Sequence, residues 1–229
     1  MELKILYQDA NYVAIDKPSG LLVHRSSIDK HETVFALQLL HDQLKRKVFP
    51  CHRLDRPTSG VLLFALNLDA LRHAQAEFAA QRCDKTYKAV VRGWTKAEGK
   101  IDYALRSEEL PNKVQEAVTD FQTLQQSIVD YPVGRYHQAR LSLLQLAPHT
   151  GRKHQLRRHL AHIRHPILGD SRHGDGAQNK FLRKYCGARQ LMLRAVELRF
   201  REITGMGSIC IKAPDDPEFQ RILEVLNLG

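Results

Sequence analysis

Asp55 stands among cations in "CHRLDRPTSG", residues 51–60, with Arg53 two positions before it and Arg56 directly after it. A carboxylate is ionised at neutral pH, and a neighbouring guanidinium keeps it so. Held rigidly between Pro57 and a strand that begins at Gly60, such a group can act as a nucleophile. The same residues also describe an ordinary turn carboxylate that accepts hydrogen bonds from backbone N–H groups. Arg53 and Arg56 then either meet a phosphate or stabilise the loop. Tyr87, in "KTYKAVVRG", is a half-buried strand aromatic, or else offers its ring to a base and its hydroxyl to a proton. Arg152 follows Thr150-Gly151 and reads as a phosphate contact, a solvated helix-end residue or a partner for Asp55. Spacing alone does not bring residues 55 and 152 together.

Around Arg152 the charge is one-sided. From Gly151 to Gly174 the chain carries Arg152, Lys153, Arg157, Arg158, Arg164 and Arg172 against Asp170 alone. Lys153, Arg157, Arg158 and Arg164 are therefore candidate contacts for the phosphates of a nucleic acid, with a solvated basic face as the plainer alternative. Histidines 159, 162 and 165 are spaced by three, which hints at a metal site if His154 or His173 joins them. No carboxylate precedes Asp170 in that run, no His-Glu-x-x-His occurs, and six cations oppose a divalent ion. No metal is expected. Neither G-x-G-x-x-G nor G-x-x-x-x-G-K is present, "GDGAQNK" lacks a strand-loop-helix context, and Ser and Cys nucleophile signatures are missing. The expectation is a reaction run by side chains on a nucleic acid, with no cofactor.

These residues need a scaffold, and 229 residues suffice for one large domain or two small lobes sharing a cleft. With 35 Lys and Arg against 25 Asp and Glu, the net charge is +10. No apolar run approaches the roughly 18 residues of a membrane span, so no membrane association is expected. The start "MELKILYQDA" alternates like a strand and does not resemble a secretory segment. Four scattered cysteines without Cys-x-x-Cys fit a reducing cytosol better than a disulfide framework. Strand composition bounded by turn signals predicts strands over 3–7, 12–16, 60–66, 118–124 and 138–146, and it returns in "TYKAVVRGW", "QLMLRAVELRF" and "SICIKA". "KPSG" is a turn, and "LPNK" and "DYPVGRY" are turn-rich pieces of an ambiguous stretch over 100–137. Helical spacing predicts helices over 33–44, with Thr33 as cap and Val34, Leu37, Leu40 and Leu44 inward, and over 68–82. A third helix starts in "GRKHQLRRHLAHI", with Leu156, Leu160 and Ile163 as its apolar stripe and Arg152, Gln155, His159 and His162 on another side. A terminal helix opens at an Asp cap and Pro217. The order is α+β.

Three segments together carry a family resemblance. "HRLDRPTSGVLLFA" at 52–65 resembles the central motif of the RluA-type RNA pseudouridine synthases, "KTYKAVVRG" at 85–93 their tyrosine strand, and "TGRKHQLRRHLAHIRHPILGD" at 150–170 their third catalytic segment. "AIDKPSGLLVH" at 14–24 extends the match over nearly the whole chain, and "GRY", "RRHLAHIRHP" and "GDSRHGD" are most similar to members that modify uridine 65 of tRNA. The resemblance implies one catalytic domain over 1–229 with two sublobes, a mixed, largely antiparallel sheet, flanking helices and a central cleft. It leaves no room for an N-terminal accessory RNA-binding module. It implies isomerisation of uridine to pseudouridine in a flipped nucleotide, with Asp55 as the essential aspartate, Tyr87 beside the target base and Arg152 as the aspartate's partner. Arg53 would help fill the gap left by the flipped nucleotide, and His52 would shape the loop. Also implied are a tRNA partner, no cofactor or metal, a monomer without an obligate protein partner, and a cytoplasmic setting. Arg194 stands where members commonly have histidine, which bears on substrate contacts. The rival readings are a synthase acting on ribosomal RNA, a non-catalytic RNA-binding domain and a metal-dependent nuclease.

Overall fold

The protein is described by a computed structural model over residues 1–24, 33–108, 110 and 112–229. Its elements run β1 (Lys4–Gln8), β2 (Tyr12–Lys17), α1 (Ala36–Leu44), β3 (Phe49–Pro50), β4 (Ser59–Ala65) and α2 (Leu68–Ala79). They continue with β5 (Asp84–Arg92), β6 (Glu98–Asp102), β7 (Leu105–Arg106), β8 (Val114–Gln115), β9 (Val118–Val129) and β10 (Ala139–Pro148). Then come α3 (Gln155–His162), α4 (Gly176–Tyr185), β11 (Leu193–Arg201), β12 (Ser208–Lys212) and α5 (Pro217–Val225). The order is α+β, with helices flanking a largely antiparallel sheet. The chain forms two compact units: Met1–Lys85 with Ala195–Ala213, and Thr86–Arg194 with Pro214–Gly229.

In the first unit the strand order is β1-β2-β4-β11, with β3 beside β4 and β12 beside β11. Tyr12, Ala14, Val61, Leu63, Leu198, Phe200 and Ile211 fill its core with α2, whose cap is Asn67 accepting from the Ala70 N–H. β4 is buried along its whole length, as its uninterrupted apolar run requires. Helix α1 begins later than its pattern predicts. Thr33 is not its cap: Phe35 holds that place without a side-chain cap bond, bridged to Leu22. Val34 consequently stays exposed, while Phe35, Ala36 and Leu40 turn inward.

In the second unit the order is β5-β10-β9-β6, and β7 and β8 pair as a separate ribbon. The ambiguous stretch resolves into β6 to β9, and β9 is twelve residues long, reaching well past residue 124. Leu156 and Leu160 of α3 enter a core shared with β5, β9, β10, α4 and α5. Helix α4 is absent from the sequence expectations. Asp175 caps it by accepting from Ala177 and Gln178 N–H, and Phe181 and Leu182 bury it. The glycines of "GDGAQNK" thus lead into a helix after all. Helix α5 begins as expected, with Asp216 accepting from the Phe219 N–H and Pro217 in the first turn.

Gly60, where the apolar run of β4 starts, has φ +105°, and a Cβ there would lie 2.0 Å from the Ala195 carbonyl oxygen of β11. Both strain and collision oppose any side chain. Gly60→Ala is expected to cost about 3 kcal/mol or more in urea unfolding, at the severe end for single substitutions. A loss under about 1 kcal/mol would mean that β11 sits less tightly on this turn.

Candidate active site

Asp55 lies in the first unit, half-buried, at the start of a turn closed by the Thr58 N–H donating to its carbonyl at 3.0 Å. A second turn, "KPSG", is fastened to it by paired contacts. Gly20 N–H donates to the Arg56 carbonyl at 2.9 Å, Arg56 Nε returns a bond to the Gly20 carbonyl at 3.1 Å, and Ser19 Oγ donates to the Pro57 carbonyl at 2.8 Å. Beneath both turns lies Lys17, 0% exposed. Its ammonium donates to the carbonyls of Pro18 at 3.0 Å, Leu21 at 2.8 Å and Arg56 at 3.0 Å. Burial pushes this group down to about 7, opposed by the Asp55 charge and reinforced by Arg56. His52 secures the other side, its Nε2 accepting the Leu63 N–H of β4 at 3.1 Å while its ring lies 5.0 Å from that of Phe78. Burial, with Lys85 adding, pushes His52 down to about 4, so it is a neutral acceptor.

Sequence reasoning overlooked Lys17 as a member of this site. The signal was present: strand alternation puts residue 17 in phase with Val13 and Ile15, both 0% exposed. Of the other first-unit candidates, Arg53 is exposed, and Arg56 is exposed but commits Nε to the neighbouring turn. That bond joins the Asp55 turn to the "KPSG" turn.

The remaining candidates belong to the second unit. Tyr87 is half-buried on β5, opposite Leu146 of β10, and packs against the core of the unit. Arg152 precedes α3. Its backbone N–H donates to Gln155 Oε1 at 3.0 Å, and its Nε to the Glu116 carbonyl at 2.9 Å. Gln155 is buried and also binds Thr150 Oγ1, the Val118 carbonyl and Thr119 Oγ1. His159, 0% exposed, bonds Thr119 Oγ1 through Nδ1 and the Tyr103 carbonyl through Nε2, each at 3.0 Å. A carbonyl only accepts, so Nε2 carries the proton and Nδ1 accepts from Thr119. The face expected to be basic and solvated is thus partly a buried network that locks α3 to β9.

Arg157 requires the clearest correction. It is 5% exposed and forms a two-pronged pair with Asp170, Nε to Oδ2 and Nη2 to Oδ1, each at 2.8 Å. Asp170 Oδ1 also accepts the N–H groups of Arg172 and His173 at 2.9 Å. Burial alone would raise the Asp170 carboxyl, but the Arg157 and backbone bonds outweigh it and hold the carboxyl below its usual range. Arg157 is an internal anchor whose Nε and Nη2 are committed to Asp170. Arg158 donates Nη1 to the Arg106 carbonyl at 3.0 Å, and Lys153 pairs with Glu108 at 3.3 Å. Arg164 is exposed at the end of α3, with φ +68°. Arg194 is 3% exposed. It donates to the Pro214 carbonyl at 2.9 Å and faces Asp216 at 3.7 Å, so it secures the start of α5.

The histidines do not assemble as their spacing suggests. His159 is used as above, His162 stacks on Tyr103, and His165 Nδ1 bonds the Arg92 carbonyl. Glu108, His154 and His173 do converge, with ligand atoms within 4.8 Å of one another. The Glu108 carboxylate is already matched by Lys153 and Arg172, at 3.3 and 3.1 Å. A divalent cation there would have to displace or repel both, so the local charge favours an anion.

Residues 11–162 match the family described as RNA pseudouridylate synthase. The chain is 47% identical over 231 aligned residues to tRNA pseudouridine synthase C of Vibrio parahaemolyticus serotype O3:K6, covering 97% of this chain and 94% of that one. It is 46% identical to the protein of the same name from Haemophilus ducreyi, covering 97% and 95%. Among solved structures it is similar to human RNA Pseudouridylate Synthase Domain Containing 4, with TM-score 0.76, 27% identity and coverage of 98% and 93%.

Two measurements check the local geometry. Arg157→Ala leaves the buried Asp170 without its partner and is expected to cost about 3–5 kcal/mol in denaturant titrations. A near-neutral effect would return Arg157 to the surface. For Lys17, the folded state gives up its proton at about pH 7, and the unfolded state near 10.4. Between these values the unfolded chain binds more protons, so this residue makes stability rise with pH. Wild-type stability measured against Lys17→Met is therefore expected to climb from pH 7 to 10, and a flat difference would contradict burial of the ammonium.

Proposed function

The chain belongs to the RNA pseudouridylate synthase family, and from that premise we propose that it converts uridine to pseudouridine in transfer RNA, at position 65. The observation that carries the reading is the match of 47% over almost the full length to a protein named tRNA pseudouridine synthase C. The fastened, half-buried turn at Asp55 supports it as well, because a nucleophile needs a fixed position and an approach for substrate. The expected setting is the cytoplasm, with tRNA as partner and the chain acting as a monomer. Among the described residues, no helix is long and apolar enough to cross a membrane.

The reaction breaks the N1–C1′ bond of uridine, turns the uracil, and joins C5 to C1′, with no net gain or loss of atoms. The target base must leave its stack, at a cost of a few kcal/mol. Phosphate contacts offset that cost and make affinity fall with salt. Arg53, exposed beside the Asp55 turn, would occupy the space that the base vacates. Stacking on Tyr87 would add roughly 1–3 kcal/mol. The Asp55 carboxylate then acts on the flipped nucleoside, and turnover also depends on Arg152. Once C5 is bonded to C1′, the C5 proton leaves through the Tyr87 hydroxyl or a water beside it.

The test uses purified protein and unmodified tRNA transcripts carrying 5-tritiated uridine. Wild type is expected to release tritium, with the new pseudouridine mapped at position 65. Release from ribosomal RNA fragments alone would move the substrate to the other reading. Asp55→Asn is expected to bind tRNA as tightly as wild type while release drops by at least about a thousandfold, the loss that accompanies removal of a group acting in the transition state. Arg152→Met should reduce turnover far more than binding. Substantial release by Asp55→Asn would remove the carboxylate from the chemistry.

A further inference from the structure

The second unit holds one cluster that the proposed reaction does not use. Glu108 lies in the turn between β7 and β8 and reaches back to the basic segment. Its Oε2 sits 3.3 Å from Lys153 Nζ and 3.1 Å from Arg172 Nη2, and its Oε1 sits 3.4 Å from His154 Nδ1. His154 Nδ1 is in turn 3.0 Å from His173 Nε2. One carboxylate is thus ringed by two permanent cations and a histidine pair. Burial would raise its pKa, but the Lys153 bond and the charges of His154, Arg172 and Lys153 prevail and hold it below the usual carboxylate range.

We propose that Lys153 and Arg172 form a phosphodiester-binding site that Glu108 fills in the RNA-free protein and gives up when RNA arrives. This rests on the reading of the protein as an RNA modification enzyme and adds a specific contact to it. The chemistry of the exchange is like for like. A phosphodiester presents two anionic oxygens to the same donors as a carboxylate does, and arginine and lysine are its usual partners. Asp170 cannot take this part, because Arg157 and two backbone N–H groups already claim it.

The ribbon that carries Glu108 is built for such a release. β7 and β8 are two residues each, and they pair only with each other. Its two ends are held through backbone carbonyls: Arg158 binds that of Arg106, and Arg152 that of Glu116. Neither bond involves Glu108, so the carboxylate can leave without freeing the ribbon. Of the contacts it would leave, the Lys153 pair is half-buried and the Arg172 pair is exposed on the arginine side. Arg172 is 57% exposed, and pairs of this kind contribute about 1 kcal/mol or less. A phosphate embedded in a polyanion therefore competes effectively with a single carboxylate.

The experiment measures binding of a fluorescein-labelled, unmodified tRNA transcript at several salt concentrations. In wild type the incoming phosphate replaces an internal anion. In Glu108→Gln it meets bare cations, so affinity at low salt is expected to rise roughly three- to fivefold. The slope of log K against log salt should also steepen by about one phosphate contact. Adding Arg172→Ala to Glu108→Gln should abolish most of the gain. Melting temperatures of the variants within a few degrees of wild type establish that folding is intact. An unchanged or weaker affinity in folded Glu108→Gln, or a gain that survives Arg172→Ala, overturns the site. Tritium release by wild type on the same transcript separates the two readings. Release without tightening removes only the phosphate site, whereas no release removes the isomerase reading while the binding result still judges the site.

Discussion

A fully buried ammonium must find acceptors, and Lys17 finds three backbone carbonyls. Two of them belong to its own turn and the third is that of Arg56, so one cation ties residues 17–21 to the turn that carries Asp55. The Gly20, Ser19 and His52 contacts fasten the Asp55 loop beside that tie. The cation also brings charge near Asp55 without exposing it to solvent. Burial works against the charge on Lys17, and the nearby Asp55 carboxylate works to keep it. The arrangement fixes the turn that carries Asp55, and a nucleophile or an electrostatic catalyst requires such a fixed position.

The basic segment shows the same economy of roles. Its sequence reads as a uniform positive face, yet its members divide by what they touch. Arg157 is consumed internally, and Gln155 and His159 are neutral members of a network through Thr119. Arg152 and Arg158 hold the β7–β8 ribbon by carbonyls, bonds that do not neutralise a charge, whereas Lys153 and Arg172 share a carboxylate. Composition counts all of these as equal charges. Coulomb energy does not, because a cation bonded to a carbonyl still attracts a phosphate and one bonded to a carboxylate does so far less.

Local patterns carried the frame of the molecule. The strands flanking Asp55, the helix α2, the stripe of Leu156 and Leu160, and the cap and proline of α5 all follow from short-range signals that agree with burial. What escaped was decided at long range. Helix α4 opens behind glycines that read as loop, and its helical state follows from Asp175 capping and from Phe181 meeting the core. Helix α1 loses Thr33 because the Leu22–Phe35 bridge holds Phe35 itself extended. Motifs alone single out Asp55, Tyr87 and Arg152 as candidates. The burial of Arg157 was not legible, since nothing near residue 157 announces that Asp170 will fold back on it.

Glu108 is the extreme of that second kind. Nothing in its own neighbourhood distinguishes it from a solvated turn glutamate, and its partners lie about forty-five and sixty-five positions away. Yet it sits against the cations whose sequence pattern most strongly suggests a polyanion. An enzyme that must bind RNA and then release a product of identical charge gains nothing from maximal positive potential, because release is slowed as much as capture is strengthened. A carboxylate that returns to Lys153 and Arg172 when the RNA leaves lowers the free energy of the empty state. It weakens ground-state binding at a point remote in sequence from Asp55 and costs the chemical step nothing. The placement of one acid among these bases is then a setting of affinity, carried by a ribbon whose ends are held independently of its tip.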